Sequence, residues 1–443
     1  MQHSFLVETL SRSLLSGEAT ADLLSDRCSR TIGRRWRWLG PLAQRYLEKF
    51  GTTTRPRQRD VVRFLRGDVG LRRAWRKHRD ELAVAEFLIT PQTMLPARDA
   101  WDAPVIESTG DLANWLGLDP EELHWFADLK GLGYKQPEPR LQHYHYRVLK
   151  KWSGSIRLIE APKPRMKDLQ RQILRWILEK IPVHLAVHGF VKGRSIHSFA
   201  APHVGRRVVL RMDVREFFPT IGGVRIQNVF RTLGYPEAVA DLLGGICTNA
   251  TPREVWREIE PGVPAESMNE ARRLYARPHL PQGAPTSPAL ANLCFYRIDC
   301  RLSALAKSAG ATYTRYADDL AFSGDAEFEK RTERFATHVA AVLLEEGFRV
   351  HHPKTRVMRQ GVRQNLAGLV TNQKINVARR DFDRLKALLT NCVKYGAETQ
   401  NRDGSPHFRA HLEGRVGFVE MVNPEKGKRL RAIFERIAEV NRS

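Results

Sequence analysis

Tyr316-Ala317-Asp318-Asp319 places two carboxylates side by side, between Thr312-Tyr313-Thr314-Arg315 and Leu320-Ala321-Phe322-Ser323-Gly324. The flanks are rich in aromatic, β-branched and apolar residues, which predicts two short strands with the acidic pair at a hairpin tip. Successive strand side chains face opposite ways, so adjacent carboxylates converge only where the backbone turns. Two carboxylates held this close repel unless a cation lies between them, and a third would complete a hard-oxygen site suited to Mg²⁺. The chemistry such a site suggests is two-metal phosphoryl transfer. Asp-Asp pairs are also common in solvated turns, so the tetrapeptide needs context. Earlier in the chain, Val208-Val209-Leu210-Arg211-Met212-Asp213-Val214 is a buried-strand pattern broken by one carboxylate and followed by Phe217-Phe218-Pro219. Between the acidic sites lies Leu280-Pro281-Gln282-Gly283-Ala284-Pro285-Thr286-Ser287-Pro288.

The elements around these residues belong to a chain of 443 residues, enough for two or three domains. Its 72 Lys and Arg exceed 49 Asp and Glu, a net charge of +23. That surplus points to a polyanionic partner, nucleic acid before an anionic membrane, since no apolar run approaches the ~20 residues of a spanning helix. Met1 to Thr9 lacks a signal-peptide pattern, and we expect a cytoplasmic protein with no membrane partner. Cys28, Cys247, Cys294, Cys300 and Cys392 are scattered and form no C-x-x-C pair, so neither zinc nor a disulfide framework is expected. His184 and His188 have i, i+4 spacing without further ligands and read as structural.

Residues 1 to about 100 show apolar positions at helical spacing, such as Leu6, Leu10 and Leu14. Basic clusters run through Arg34, Arg35 and Arg37, then from Arg55 to Lys77, and are read as RNA contacts over a merely solvated face. Trp36, Trp38 and Trp75 lie among them and would stack on bases or pack in a core. Pro91 to Pro104 reads as a linker. A short helix ends at Gly117, and Asp119-Pro120-Glu121-Glu122 opens another with an N-cap, a Pro at N1 and a capping-box Glu. Tyr144 to Pro162 reads as a hairpin around Ser153-Gly154-Ser155, with Lys150, Lys151 and Arg157 able to point at a triphosphate. An amphipathic helix follows from Pro164, then the basic loop His188-Gly189-Phe190-Val191-Lys192-Gly193-Arg194. Ser287 and Pro288 read as the N-cap and N1 of a long helix. Helices are also predicted over 328–346, 378–395, 407–422 and 424–440.

An Asp-bearing strand, a Pro-Gln-Gly loop and a Tyr-x-Asp-Asp hairpin, in that order, resemble the palm of reverse transcriptases. Lys150-Lys151-x-Ser153-Gly154-x-x-Arg157-x-Ile159-x-Ala161-Pro162, Leu169-Gln170-Arg171, His188-Gly189-Phe190 and Leu280 to Pro288 narrow this. With them the chain is similar to the bacterial retron-type enzymes over roughly residues 108 to 440. It departs from them at Phe199-Ala200-Ala201-Pro202-His203, where Asn-Ala-x-x-His is usual, and at Leu366-Ala367-Gly368, where Val-Thr-Gly is usual. The resemblance implies an α+β right hand. Its parts would be a basic helical N-terminal extension and linker over 1–107, fingers and palm over 108–375, and an α-helical thumb over 376–443.

It further implies an RNA-directed DNA polymerase in which Asp213, Asp318 and Asp319 are catalytic and bind two Mg²⁺ ions. Lys150 and Arg157 would meet the nucleotide, Phe218 would exclude a ribose 2′-OH, and Gln282 would touch nucleotide and template. Lys354, in Val350 to Val357, would donate a proton to the leaving pyrophosphate or be a surface lysine. Arg194 is placed on the template, and Arg415, Arg429, Arg431 and Arg436 on RNA bound by the thumb. The partners implied are dNTPs, an RNA–DNA product, a cognate structured noncoding RNA that is both template and primer, and an effector protein. The product would be a branched RNA–DNA serving phage defence. Two alternatives stand beside this: an intron-like or abortive-infection reverse transcriptase without such an RNA, and an RNA-binding scaffold with a silent palm.

Overall fold

The computed structural model describes residues 3–52, 56–85, 101–135, 138–150, 156–257 and 264–440. The chain forms two compact units, one of residues 1–181 and 221–290, the other of 182–220 and 291–443.

In the first unit, helices His3–Leu15, Ala21–Thr31, Leu39–Phe50, Gln58–Gly67 and Val69–His78 close around their own core. Leu6, Leu10, Leu24, Leu42, Tyr46, Val61, Leu65 and Leu71 fill it, the residues that helical spacing places on one face. Trp36 is buried there, and Trp38 and Trp75 pack against it, so packing and not base stacking accounts for the three tryptophans. Asp68 accepts from Leu71 N at 2.6 Å to cap the fifth helix and takes both arms of Arg45 at 2.7 and 3.0 Å. Arg59, Arg63, Arg66, Arg72, Arg73, Arg76 and Lys77 are left on the surface. Arg55 and most of the linker expected from Pro91 lie outside the described residues.

A capping box of Ser108 with Asp111, beyond the sequence expectation, starts Thr109–Leu116, and the expected one of Asp119 with Glu122 starts Pro120–Ala127. Gly117 then stops the first of these in the left-handed region, at φ 64°. Strands β1 (Tyr144–Lys150) and β2 (Ile156–Pro162) pair antiparallel, from Tyr144 opposite Pro162 to Lys150 opposite Ile156. The turn 151–155, with Lys151, lies outside the described residues.

The second unit carries a four-stranded antiparallel sheet, β3 (Val208–Asp213), β4 (Thr312–Tyr316), β5 (Asp319–Gly324) and β6 (Arg356–Arg359), in the order β4-β5-β3-β6. β3 is buried at every position but Arg211, as a near-continuous apolar run requires. Helices Arg379–Tyr395, Phe408–Val422 and Pro424–Val440 pack through Leu385, Leu389, Leu412, Val416, Leu430 and Phe434 onto a core that also holds Val209 and Ala321 of the sheet. Their bounds fall within a residue or so of the sequence expectation. The long helix differs at its start. It runs Ser287–Ser308, with Leu290 N donating to Thr286 O, and Ser287 Oγ turns away from the cap role to donate to Pro281 O at 2.7 Å. Among the described residues no helix is long and apolar enough to cross a membrane.

Candidate active site

The acidic pair stands where the strand pattern predicts. Tyr316 pairs with Asp319, leaving Ala317 and Asp318 as a two-residue turn between β4 and β5. Ala317 has φ 55°, a left-handed conformation that hairpin tips usually give to Gly or Asn. An L-residue held there costs roughly 1–3 kcal/mol unless its surroundings over-determine it.

They do. Arg315 is fully buried, and its Nη1 donates to Ala317 O at 3.1 Å and to Asn292 Oδ1 at 3.0 Å. Its Nε and Nη2 donate to the two oxygens of buried Asp299 at 2.8 and 2.7 Å. Asp299 also accepts from Tyr313 Oη at 2.8 Å, and Asn292 Nδ2 donates to Gly189 O at 3.0 Å. Gly189 lies so close to the turn that a Cβ there would sit 2.5 Å from Ala317 N. This explains the glycine of His188-Gly189-Phe190.

Asp213 ends β3 directly opposite Asp319 on β5, and Val214 N donates to Asp318 O at 2.9 Å, so three carboxylates meet at one end of the sheet. Burial first, and then the Asp213 and Asp319 carboxylates, push Asp318 up to about 6. Burial likewise raises Asp319, against the pull of Arg211. Arg211 shares the face of Asp213 and grips Asp319 from Nε and Nη2 at 2.7–2.9 Å. Lys354 Nζ lies 3.1 and 2.9 Å from the two oxygens of Asp213. Among the described residues no three acidic, His or Cys side chains already stand as a closed ligand set. The donor chemistry nevertheless fits a divalent cation. All three are hard oxygens, and Asp318 is held in an excess of negative charge that a cation would relieve.

The adjacent phenylalanines divide their roles. Phe217 is buried against Phe295 and Phe348, with ring centroids 5.5 and 6.1 Å away, while Phe218 is half-exposed, its ring 6.3 Å from that of Phe190. Phe218 is therefore not the core residue of the pair. Gln282 is half-exposed in its loop. Lys150 and Arg157 are both exposed, but Arg157 stands opposite Leu149 and Lys150 opposite Ile156, so they leave opposite faces of the hairpin. Arg194 turns inward, its Nη1 donating to the carbonyls of His184, Leu185 and Val187. Arg431 pairs with Glu420 at 2.9 and 2.6 Å, whereas Arg429 and Arg436 are exposed and Arg415 is half-exposed. Arg194 and Arg431 are thus each held by partners within the chain.

The family model for reverse transcriptase (RNA-dependent DNA polymerase) matches residues 148–381, which hold all three carboxylates, both hairpin cations and Gln282. The retron Mx65 reverse transcriptase of Myxococcus xanthus is 40% identical over 331 residues, 74% of this chain and 71% of that protein. The chain belongs to the retron-type reverse transcriptases. The retron Mx162 enzyme of the same organism is 38% identical, over 73% of this chain and 65% of its own length. The retron Ec86 enzyme of Escherichia coli is 29% identical, over 62% and 74%. As a retron-type reverse transcriptase the protein is an RNA-directed DNA polymerase with an α+β fold, and its family works with a divalent cation.

Within that family the Phe199-to-His203 segment keeps its histidine for a reason the sequence does not disclose. His203 is buried between Thr314 Oγ1, 2.7 Å from Nε2, and Ser323 Oγ, 2.6 Å from Nδ1. Thr314 Oγ1 donates to Phe199 O at 3.0 Å, so Nε2 must donate to Thr314 and Nδ1 accept from Ser323. Burial, with Arg206 and His188, lowers its pKa to about 3 and keeps it neutral. It ties β4 to β5 behind the carboxylates.

Proposed function

We propose that the chain copies a cognate structured noncoding RNA, used as both template and primer, into a branched RNA–DNA that serves phage defence. The observation that carries the catalytic part is the register of β3 against β5, which sets Asp213 opposite Asp319 with Asp318 beside them. The retron part is supported by the relatives. Asp213, Asp318 and Asp319 would hold two Mg²⁺ ions, which when bound supply charge neutralisation for the triphosphate and a lowered pKa for the primer hydroxyl. The protein's own share is positioning. Arg211 and Lys354 orient two of the carboxylates by direct hydrogen bonds, and the Arg315 network fixes the turn that carries the third. Lys354, paired with Asp213, would then be the proton donor to pyrophosphate. Gln282 and the hairpin cations Arg157 and Lys150 would meet the nucleotide, one cation from each hairpin face.

Phe218 would close the space beside the sugar 2′ position. Phe218→Ala should raise ribonucleotide incorporation relative to deoxynucleotide by at least ~10-fold, because the steric penalty is removed while the carboxylates are untouched. Loss of all activity with an unchanged sugar preference would assign the ring to packing.

The transcript encoded beside the gene, added without a primer, tests the retron reading. It should yield DNA attached to RNA through a 2′,5′ linkage, and an unrelated transcript should not. Arg429→Ala with Arg436→Ala should cut use of that transcript far more than extension of an annealed generic primer, because a folded RNA needs the thumb surface and a short duplex needs less of it. Equal losses on both substrates would favour an intron-like or abortive-infection enzyme.

A further inference from the structure

A second buried charge network lies within the first unit, at the Pro-Gln-Gly loop. Glu160 of β2 and His279 are both buried, 0% and 1% exposed, with Oε2 and Nε2 2.9 Å apart. The other Glu160 oxygen accepts from Asn249 Nδ2 at 2.7 Å and Thr251 Oγ1 at 2.9 Å. His279 Nδ1 lies 2.7 Å from Arg277 O, an acceptor only, so that nitrogen carries a proton. Nε2 then faces the Glu160 carboxyl group, a partner that favours a second proton on the ring and an ionic pair. Burial alone would lower the His279 pKa, but the Glu160 carboxylate and the Arg277 carbonyl turn the net shift upward.

The backbone makes the same join a second time. Glu160 N donates to Gln282 O at 2.9 Å, and Gly283, at φ 133°, sits so close that a Cβ would lie 2.9 Å from Glu160 O. Asn249 and His279 exchange two backbone hydrogen bonds of 3.0 Å. Strand β2 therefore holds the loop by a side-chain ion pair at 279 and by main chain at 282 and 283. Gln282, half-exposed, is the residue these anchors bracket.

We propose that the Glu160–His279 pair is a positioning device for nucleotide recognition. It locks residues 279–283 against β2 so that Gln282 and Arg157, three residues before Glu160 on the same strand, meet the incoming deoxynucleoside triphosphate in fixed relative geometry. Neither residue of the pair touches substrate. A buried ion pair is weak evidence for stability as such, since apolar residues of similar size often serve as well, so a positional role is the better account of its presence. This rests on the reading of Gln282 as a nucleotide contact.

The test compares Glu160→Gln, Gln282→Ala and the combined variant with the full-length wild type on an annealed RNA template and DNA primer. KM for dNTP, kcat, the Kd for primer–template and the melting temperature are measured for each. Glu160→Gln should raise KM for dNTP by ~10-fold with the primer–template Kd unchanged, since a loop displaced by a fraction of an ångström weakens one contact and not the duplex site. Gln282→Ala should do the same, and the combined variant should be no worse than the poorer single one, because both act through one contact. A normal KM for Glu160→Gln beside a raised KM for Gln282→Ala overturns the positioning role alone, as does strict additivity. A normal KM for Gln282→Ala overturns the nucleotide contact, and the proposal with it. Should Glu160→Gln fail to fold, Glu160→Gln with His279→Gln, two neutral amides able to bond each other, gives the same readout.

Discussion

Replacing Asp318 and Asp319 together with Asn is expected to lower deoxynucleotide incorporation at least ~10³-fold, since the site works by charge stabilisation, while the metal-free protein melts no lower than wild type. The second half follows from the pKa shift. Asp318 is raised to about 6 by burial and by its carboxylate neighbours. A carboxyl whose folded pKa exceeds its unfolded value contributes stability at low pH that is lost as pH rises through about 6. At neutral pH the metal-free wild type has lost that contribution, and Asn at 318 ends the repulsion. Asn at 319 leaves Arg211 less well paired, which offsets part of the gain. Melting in chelator at pH 5.5 and 7.5 should therefore show a smaller pH dependence for the double variant. Wild-type extension by that variant would remove the metal assignment.

The second large effect concerns stability. Asp299→Ala would leave Arg315 buried and unpaired and remove the acceptor of Tyr313 Oη, a loss of roughly 3–5 kcal/mol in denaturant unfolding. Asp299→Leu with Arg315→Met, which replaces both charges by apolar bulk, should recover most of that loss. Activity should not follow stability. Without the guanidinium, Ala317 O loses its donor and the left-handed turn that aims Asp318 loses its support. Wild-type polymerisation by the apolar pair would show that the network braces the core and does not set the turn.

The sequence made the local half of this legible. The hairpin tip, the capping box of Asp119 with Glu122 and the thumb helices rest on period, turn chemistry and cap residues a few positions apart, and each stands within a residue or so of its expected place. What stayed hidden were pairings between distant positions. Nothing near Arg315 announces Asp299, nothing near Glu160 announces His279, and His203 reads as a motif relic until β4 and β5 close over it. Arg211 was within reach, because strand alternation puts it on the face of Asp213. The same distance effect hides the partners of charged residues. Arg194 and Arg431 belong to basic runs, yet both are consumed by carbonyls or carboxylates that the fold brings to them. Lys150 and Arg157 are close in sequence but separated by register.

The most direct test of the account is extension of a DNA primer annealed to a defined RNA template by the full-length protein, with dNTPs and Mg²⁺ or with chelator. The account predicts DNA complementary to the RNA, made only with the divalent cation and lost with Asp213→Asn. No templated product in Mg²⁺, or product that survives chelator or Asp213→Asn, would contradict the assignment of polymerase chemistry to the three carboxylates.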